Sequence, residues 1–452
     1  MSNRRCPDAV GMRSNTEAVL RGGGRSGSAR HTPRSKLPGR HESPLRCALP
    51  TMAAICALVI LPTSSLAPDG PRLLIPIAIA ALMATPTRHD SRGLSRFRLA
   101  LALYAIAILI AAARGGTHTA YRYDLVLFLA VAPLYYFLGR RMGASPSATN
   151  CIYLFLIGLA VVSALSGIFE ATSGHYLMNS PYMFDTPTRS GHLRARSIYP
   201  QALVLALVCA TGLTLACARR MRMRPAIRII LCLVLLAGAW STGSRTALLL
   251  IPMILVVLHL YLLAAQATNS RLVSFITLVF TFGLIALFVG NALSFIVGAS
   301  GSQESESAGF RSELYHQLPN ILTMNPWGSG LGAIPDHLIV FSGTFGTISA
   351  AHTVDSEYVF AAIRFGIVGL AFWVAAITTI TREWSRHESP AASAFIILVA
   401  FGSIVALDAW VTILCLLALL FGILHSEAQH SDSGARALPA TQISASHDRN
   451  RG

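Results

Sequence analysis

Charged residues are scarce in this sequence. Asp, Glu, Lys and Arg together make up 12% of the 452 residues, whereas hydrophobic residues make up 53%. An average soluble domain has about 25% charged residues, so this chain has too few polar side chains to cover a soluble surface. The mean hydropathy is +0.56. These values exclude an ordinary soluble domain and indicate that lipid surrounds much of the chain.

Sequence motifs for nucleotides, metals and disulfide bonds are absent as well. The eight cysteines do not have the spacing of a disulfide framework or of a zinc site. The sequence contains no Walker loop, and the glycine-rich stretch 328–332 neither follows a strand nor opens a helix in a nucleotide-binding context. That stretch is expected to form a turn. We therefore predict no metal site and no cofactor.

Long apolar segments recur from residue 45 to residue 425. Each is near the length needed to cross a bilayer core of about 30 Å, and a backbone in lipid must satisfy its own hydrogen bonds, which favours helices. The predicted fold class is therefore an all-α polytopic membrane protein with about 12 transmembrane helices. The predicted spans are residues 45–62, 71–85, 97–113, 124–138, 150–170, 198–217, 227–240, 246–265, 272–298, 355–381, 391–407 and 410–425.

Basic residues alternate from loop to loop along these predicted spans. About three quarters of the 36 Lys and Arg residues fall in the two tails and in every second loop. The positive-inside rule assigns that side to the cytoplasm, so we expect a multi-pass inner-membrane protein with both termini cytoplasmic. The same rule accounts for the net charge of +16 without a nucleic-acid partner.

The chain divides into a membrane domain and two polar tails. Residues 1–44 are rich in Arg, Gly, Ser and Pro and can bury little apolar surface, so they are predicted to be a disordered basic cytoplasmic tail. Residues 426–452 are predicted to be a second disordered cytoplasmic tail, and 45–425 the transmembrane helical domain. Two outer loops, 171–197 and 299–354, are much longer than the others, and the second joins the ninth and tenth helices. Long loops often carry function.

Arginines on the predicted outer side run against the positive-inside trend. Arg196 lies in the first long loop, Arg311 in the second, and Arg245 in a tight outer turn. Arg311 also opens a stretch, 310–324, with the apolar spacing of a short amphipathic helix. A guanidinium stays charged and can pair bidentately with phosphate, so three of them would suit a pyrophosphate. The alternative is that translocation tolerates scattered charge and that Arg245 only reaches to lipid head groups.

Groups capable of proton transfer lie where the tenth span begins. His352, Asp355 and Glu357 stand at the outer water boundary, and a histidine or carboxylate there can act as general base on a sugar hydroxyl. The alternative for Asp355 is a helix cap. Arg364 lies deeper in the same span. Since charges inside a membrane are either functional or paired, Glu357 and Arg364 are candidate interior-lining residues, with a structural ion pair as the alternative for Arg364.

Four short motifs follow one another between residues 190 and 375. They are Arg-Ser-Ile-Tyr-Pro at 196–200, Ser-Thr-Gly-Ser-Arg-Thr at 241–246, an arginine, helix and Asn-Pro-Trp-Gly-Ser-Gly-Leu-Gly pattern at 310–332, and Asp-Ser-Glu-Tyr-Val with two glycines at 355–369. In this order they resemble the bacterial O-antigen ligase and O-antigen (exopolysaccharide) polymerase superfamily.

This resemblance implies a reaction at the periplasmic face of a bacterial inner membrane. A glycan would pass from an undecaprenyl-pyrophosphate carrier to a hydroxyl of a glycan or lipid A core acceptor, without metal or cofactor, and both long loops would be periplasmic. By position, Arg196, Arg245 and Arg311 would bind the pyrophosphate as charge develops on it. His352 or Asp355 would activate the acceptor hydroxyl.

One position departs from the ligase pattern. Ligases of this superfamily usually have His-Asn where this chain has Asp355 and Ser356, and His352 lies three residues earlier. The base is therefore predicted to be either His352 or Asp355. An acidic residue here is more similar to the polymerase branches, which favours a polymerase over a ligase. A polytopic transporter or lipid flippase is the alternative from another class, although the outer clustering of arginines is not typical of transporters.

Overall fold

The structure is a computed structural model that describes most of the membrane domain. The described residues are 95–114, 119–177, 188–189, 192–218, 220–221, 223–244, 302–332, 340–343, 346–349, 356–387, 389–403 and 411–436. They all belong to one compact unit, Pro44–Gly452.

Within these ranges the chain forms ten α-helices, one π-helical turn and two short hairpins. The helices are α1 (Ser95–Arg114), α2 (Thr119–Val126), α3 (Ala132–Gly143), α4 (Pro146–Ser173), α5 (Ala202–Cys217), α6 (Pro225–Ser241), α7 (Ser302–Met324), α8 (Glu357–His387), α9 (Pro390–Gly402) and α10 (Val411–Arg436), and the π-helical turn is Leu127–Val131. The antiparallel hairpins pair β1 (Thr188–Arg189) with β2 (His192–Leu193), and β3 (Val340–Gly343) with β4 (Gly346–Ser349).

The helical prediction is confirmed for these ranges, and the hairpins are an addition. They lie in the two long loops, 171–197 and 299–354, which the all-α prediction left without strands. Extended loop segments that fold back can satisfy their N–H and C=O groups by pairing with each other.

Several described helices are long and apolar enough to cross a membrane. Five meet this criterion: Arg96–Arg114, Asp124–Gly143, Pro146–Ser173, Glu357–Arg386 and Val411–His430. Three shorter apolar helices, α5, α6 and α9, accompany them. The protein is therefore a multi-pass membrane protein. The predicted spans 45–62, 71–85, 246–265 and 272–298 lie outside the described residues, so the total of about twelve remains a prediction.

Proline and glycine set several helix ends. Helices α4, α6 and α9 each begin with proline directly after an extended residue. Proline suits the first helical position because the missing N–H has no helical partner there and its φ angle is already helical. Helix α4 ends at Gly174, which takes a left-handed φ of 73° and donates its N–H to the Glu170 carbonyl.

The described helices contact one another in a network of pairs. Helices α4, α5 and α6 contact one another, α3 lies along α10, α1 lies along α8, and α9 contacts α5, α8 and α10. Small residues let the backbones approach closely in the α3–α10 pair, where Gly139 faces the Leu419 carbonyl and Gly422 faces the Tyr136 carbonyl.

Helix α10 continues past residue 426, where the sequence analysis placed the beginning of a disordered tail. Glu427 accepts hydrogen bonds from Ser389 Oγ at 2.5 Å, from Arg220 Nη1 at 2.9 Å and from Tyr153 Oη at 3.4 Å. These contacts hold the end of α10 against α4, α9 and the loop before α6. The tail boundary is therefore corrected to a position after Arg436, beyond which the chain lies outside the described residues.

Candidate functional site

A buried carboxylate organises the end of the first long loop. Glu170, in the last turn of α4, has no solvent-exposed surface. Its Oε2 accepts the backbone N–H groups of Arg196 and Ser197, both at 2.8 Å, and its Oε1 accepts the N–H of Leu177 at 3.0 Å. Three N–H donors compensate the carboxylate for the loss of water. The two ends of the loop are thus held at the end of α4.

The backbone at Ser197 makes this arrangement geometrically feasible. Ser197 has a φ of 58°, a left-handed value that costs a non-glycine residue free energy and marks a constrained position. The turn aims two successive N–H groups at one carboxylate oxygen, as in an anion-binding nest. Ser197 Oγ is also 2.7 Å from Ser166 Oγ, and Tyr199 Oη is 3.0 Å from Ser163 Oγ. Helix α4 therefore contacts residues 196–199 at Ser163, Ser166 and Glu170.

The Arg196 side chain is buried beside an aromatic ring. Arg196 is 6% exposed, and its guanidinium carbon lies 3.8 Å from the centre of the Tyr176 ring. A cation over an aromatic face is attracted by the electron density of the ring. The loop that begins after α4 thus supplies both the ring and the cation.

The same segment packs against the turn that ends α6. The Ala195 N–H donates to the Ser241 carbonyl at 3.1 Å, and Arg194 Nε donates to the Thr242 carbonyl at 3.5 Å. Ser244, the last described residue of this turn, is followed directly by Arg245. The structure therefore brings Arg196 next to the turn that leads into Arg245. We call residues 194–199 and 241–244, with Glu170, the arginine cluster.

A second arrangement forms around a break in α8. Gly366 has a φ of 61° and a ψ of −146°, so the helix is interrupted there, inside a predicted span. Residues 325–332, called here the 325–332 loop, fill the break. The Ser329 N–H donates to the Ile363 carbonyl at 2.6 Å, and the Ile367 N–H donates to the Pro326 carbonyl at 2.9 Å. Polar backbone groups freed within a membrane span are thereby satisfied inside the protein.

The sequence analysis expected a turn in this glycine-rich stretch, and in the structure the stretch packs into the helix bundle. Its contacts extend beyond α8: the Leu331 N–H donates to the Ala111 carbonyl at 3.2 Å, and Arg114 Nη2 donates to Asn325 Oδ1 at 3.0 Å. The loop therefore links α1 to the interrupted α8.

An ion pair closes the far end of the loop. Arg364 Nη1 lies 3.1 Å from Asp124 Oδ2, and that same oxygen accepts the Gly332 N–H at 3.0 Å. The Arg364 guanidinium carbon also lies 4.1 Å from the centre of the Phe360 ring. Both charged side chains are nearly buried, where an ion pair needs good geometry and further hydrogen bonds to offset desolvation. The Gly332 N–H supplies one of these bonds.

The start of α8 is tied to α7. Glu357, the first residue of α8, is 3% exposed, and its neighbour Ser356 has its Oγ 2.8 Å from Tyr315 Oη. Tyr315 Oη also donates to the Ser403 carbonyl at 2.7 Å. Arg311 lies one helical turn before Tyr315 in α7. The helix that carries Arg311 is thus anchored beside Glu357.

Comparison with known proteins agrees with the sequence motifs. Residues 230–374 match the protein-family model described as O-antigen ligase. This match supports the resemblance to the O-antigen ligase and polymerase superfamily that the motifs indicated. The matched residues make up about a third of the chain and contain the α6 turn, α7, the 325–332 loop and the break in α8. No curated protein matches the chain. The family indicates a membrane enzyme of the O-antigen ligase type that transfers glycans.

The residues predicted for this site have different outcomes. Arg196, Glu357 and Arg364 are described, and Arg364 is paired with Asp124. Arg311 lies in α7, with its side chain outside the described part. The remaining candidates, Arg245, His352 and Asp355, lie outside the described residues.

Two residues of these arrangements were not predicted from the sequence. Glu170 positions the Arg196 segment, and Asp124 pairs with Arg364. Both are acidic residues at the ends of apolar spans, and a carboxylate in such a place commonly has a partner. That signal was present in the sequence, but it does not name the partner.

Proposed function

We propose that this protein transfers a glycan from an undecaprenyl-pyrophosphate carrier to an acceptor hydroxyl at the periplasmic face of the bacterial inner membrane. Within this class, we propose a polysaccharide or O-antigen polymerase. The observation that carries the proposal is the arginine cluster, in which the Glu170 carboxylate holds the Arg196 segment beside the turn that leads into Arg245.

Glu170 positions the Arg196 segment through backbone N–H groups, which fixes where the Arg196 side chain starts. A buried, pre-positioned guanidinium stabilises charge more strongly than one in water and needs no reorganisation during the reaction. Arg196 and Arg245 would bind the pyrophosphate together with Arg311, which is carried by α7.

The proposed reaction is a displacement at the anomeric carbon. The base, His352 or Asp355, takes the proton of the acceptor hydroxyl as its oxygen attacks that carbon. The bond between the anomeric carbon and the pyrophosphate oxygen breaks, and the carrier leaves as undecaprenyl pyrophosphate with its charge stabilised by the arginines. This route uses no metal ion and no cofactor.

The choice of polymerase rests on the residues that open α8. Asp355 and Ser356 occupy the place where ligases of the superfamily usually have His-Asn, and an acidic residue there is more similar to the polymerase branches. Transfer to lipid A core by a ligase is the second candidate, favoured by the description of the matched family model.

The test compares cell-surface glycans in a strain that lacks the gene and in strains complemented with variants. We expect Arg196→Ala to reduce long-chain product on the order of a hundredfold, the usual cost of losing one group that stabilises transition-state charge. Arg224→Ala is the matched control, since Arg224 is exposed at the start of α6 on the predicted cytoplasmic side, and it should leave the profile unchanged.

The pattern of the null strain separates the candidate functions. Loss of long chains with single repeat units still on their acceptor indicates a polymerase, whereas full chains that build up on the carrier lipid indicate a ligase. An unchanged profile in the null strain contradicts both and supports the transporter alternative.

A further inference from the structure

An apolar cavity of about 600 Å³ lies among α1, α3, α8 and α10. Its lining follows α8 from Glu357 to Ala376 and α10 from Leu414 to Gln429. At a rise of 1.5 Å per residue, the uninterrupted α10 stretch is about 22 Å long. The hydrocarbon core of a bilayer is about 30 Å thick, so the cavity extends through most of that depth.

The two ends of the cavity differ in charge. Glu357 lies at one end, and the arginines of the described lining, Arg98 and Arg140, lie at the other. The helix directions establish this. Tyr104 of α1 packs on Phe372 of α8 at a ring distance of 5.5 Å. Since the C-terminal end of α1 meets the 325–332 loop near the α8 break, α1 runs antiparallel to α8, and Arg98 lies toward the Ala376 end.

The basic end brings two cations together without an acidic partner among the described residues. Arg140 Nη2 makes one long hydrogen bond, 3.5 Å, to Gln429 Oε1. The neighbouring His425 stacks on Phe97 at 4.4 Å and contacts Tyr136 Oη through Nδ1. These contacts fix the ring and not the guanidinium groups. Two arginines at the mouth of an apolar cavity are suited to a phosphate that carries a hydrocarbon chain.

We propose that the cavity binds an anionic glycerophospholipid from the leaflet at the Arg98 end. Its phosphate pairs with Arg98 and Arg140, and one acyl chain lies along the wall formed by Tyr104, Phe372 and Trp373. The opposite orientation would place the phosphate beside the Glu357 carboxyl, which charge disfavours. This inference does not depend on the proposed glycan transfer, because the arginine cluster is built from other residues.

The test measures lipid retention by the full-length protein purified in detergent. Native mass spectrometry would count the lipids that remain bound after incubation with phosphatidylglycerol or with phosphatidylcholine. We expect the wild type to retain phosphatidylglycerol in preference to phosphatidylcholine. The double variant Arg98→Gln/Arg140→Gln should bind phosphatidylglycerol about thirtyfold more weakly, since each basic residue contributes about 1 kcal/mol to an anionic lipid contact.

Two further variants make the result specific. Arg96→Gln/Arg141→Gln is the matched control, because it removes the same charge from the neighbouring positions of α1 and α3, which do not line the cavity. It should retain phosphatidylglycerol like the wild type. Ala418→Phe adds bulk at a half-buried lining position and should reduce retention with both arginines in place. Gel filtration checks folding, and the single variant Arg98→Gln replaces the double variant if the latter aggregates.

Several outcomes overturn the proposal. One is equal retention of phosphatidylglycerol by the wild type and by the arginine variants, and another is equal retention of the two lipids by the wild type. Recovery of a polyisoprenyl pyrophosphate in place of a glycerophospholipid would assign the cavity to a sugar donor. Retention that is unaffected by Ala418→Phe would place the lipid outside the cavity.

Discussion

Glu170 shows how one buried side chain can position a functional segment through its backbone. The carboxylate accepts N–H groups from Arg196, Ser197 and Leu177, so both ends of the first long loop depend on it. The left-handed φ of Ser197 is part of the same arrangement. A carboxylate accepts at both oxygens, and no other side chain of this size offers that without also donating.

Glu170→Gln should therefore destabilise the arginine cluster, although glutamine and glutamate have nearly the same size. The new amide keeps one acceptor oxygen but turns an NH₂ group toward N–H donors, and each unsatisfied buried donor costs about 1–3 kcal/mol. We expect a lower midpoint of thermal unfolding in detergent and a large loss of glycan product. Glu313→Gln is the control, because Glu313 is exposed on α7 and bonds only Gln317 among the described residues. Equal behaviour of the two variants would contradict the role of Glu170.

At the residue scale, the sequence indicated the cations better than their partners. Arg196 and Arg364 were noticeable because arginine is disfavoured on the outer side and inside a span. Asp124 and Glu170 were not singled out, since acidic residues at span ends are common. Their partners are also distant in the chain: Gly332 is 208 residues from Asp124, and Arg196 is 26 residues from Glu170. Hydrophobic periodicity gives no information on such pairs.

At the scale of elements, the interrupted helix α8 and the 325–332 loop form one unit. The sequence predicted a continuous span at 355–381, because glycine within a membrane helix is common and does not by itself indicate a break. The break is stable because the loop supplies hydrogen-bond partners on both sides of Gly366. Helix α7 was easier to predict. The apolar spacing of 310–324 indicated its second half, whereas its first residues, from Ser302, are polar and show no such pattern.

Gly366→Ala should disrupt this unit. A Cβ at Gly366 would collide with the Pro326 carbonyl, and the φ of 61° is unfavourable for any residue with a Cβ. We expect a loss of several kcal/mol in the free energy of unfolding, seen as a lower unfolding midpoint and a smaller monodisperse fraction. Gly158→Ala in α4 is the matched control, since a Cβ there meets nothing within 4 Å, and it should be neutral or slightly stabilising. A wild-type midpoint for Gly366→Ala would show that α8 is continuous.

At the scale of the whole molecule, composition and charge alone predicted a multi-pass membrane protein. Long apolar segments can be recognised in the sequence, because the bilayer thickness sets their length. The short helices α5, α6 and α9 correspond to the predicted spans 198–217, 227–240 and 391–407, and some of their ends differ from the predicted ends by several residues. The polar part of 426–436 looked unstructured because its stability comes from contacts of Glu427 with three other parts of the chain. Such tertiary contacts cannot be derived from local composition.

The orientation of the molecule decides whether the proposed reaction can take place where its substrate is. Thr172 and Ser385 are a matched pair for this question. Both are exposed hydroxyl residues near the ends of long helices, and both donate to a carbonyl of the preceding turn. The positive-inside rule places Thr172 in the periplasm and Ser385 in the cytoplasm. In a chain whose eight cysteines are replaced by alanine, Thr172→Cys should react with a membrane-impermeant maleimide in intact spheroplasts. Ser385→Cys should react only after the membrane is permeabilised. The reverse pattern would put the arginine cluster in the cytoplasm and rule out glycan transfer at the periplasmic face.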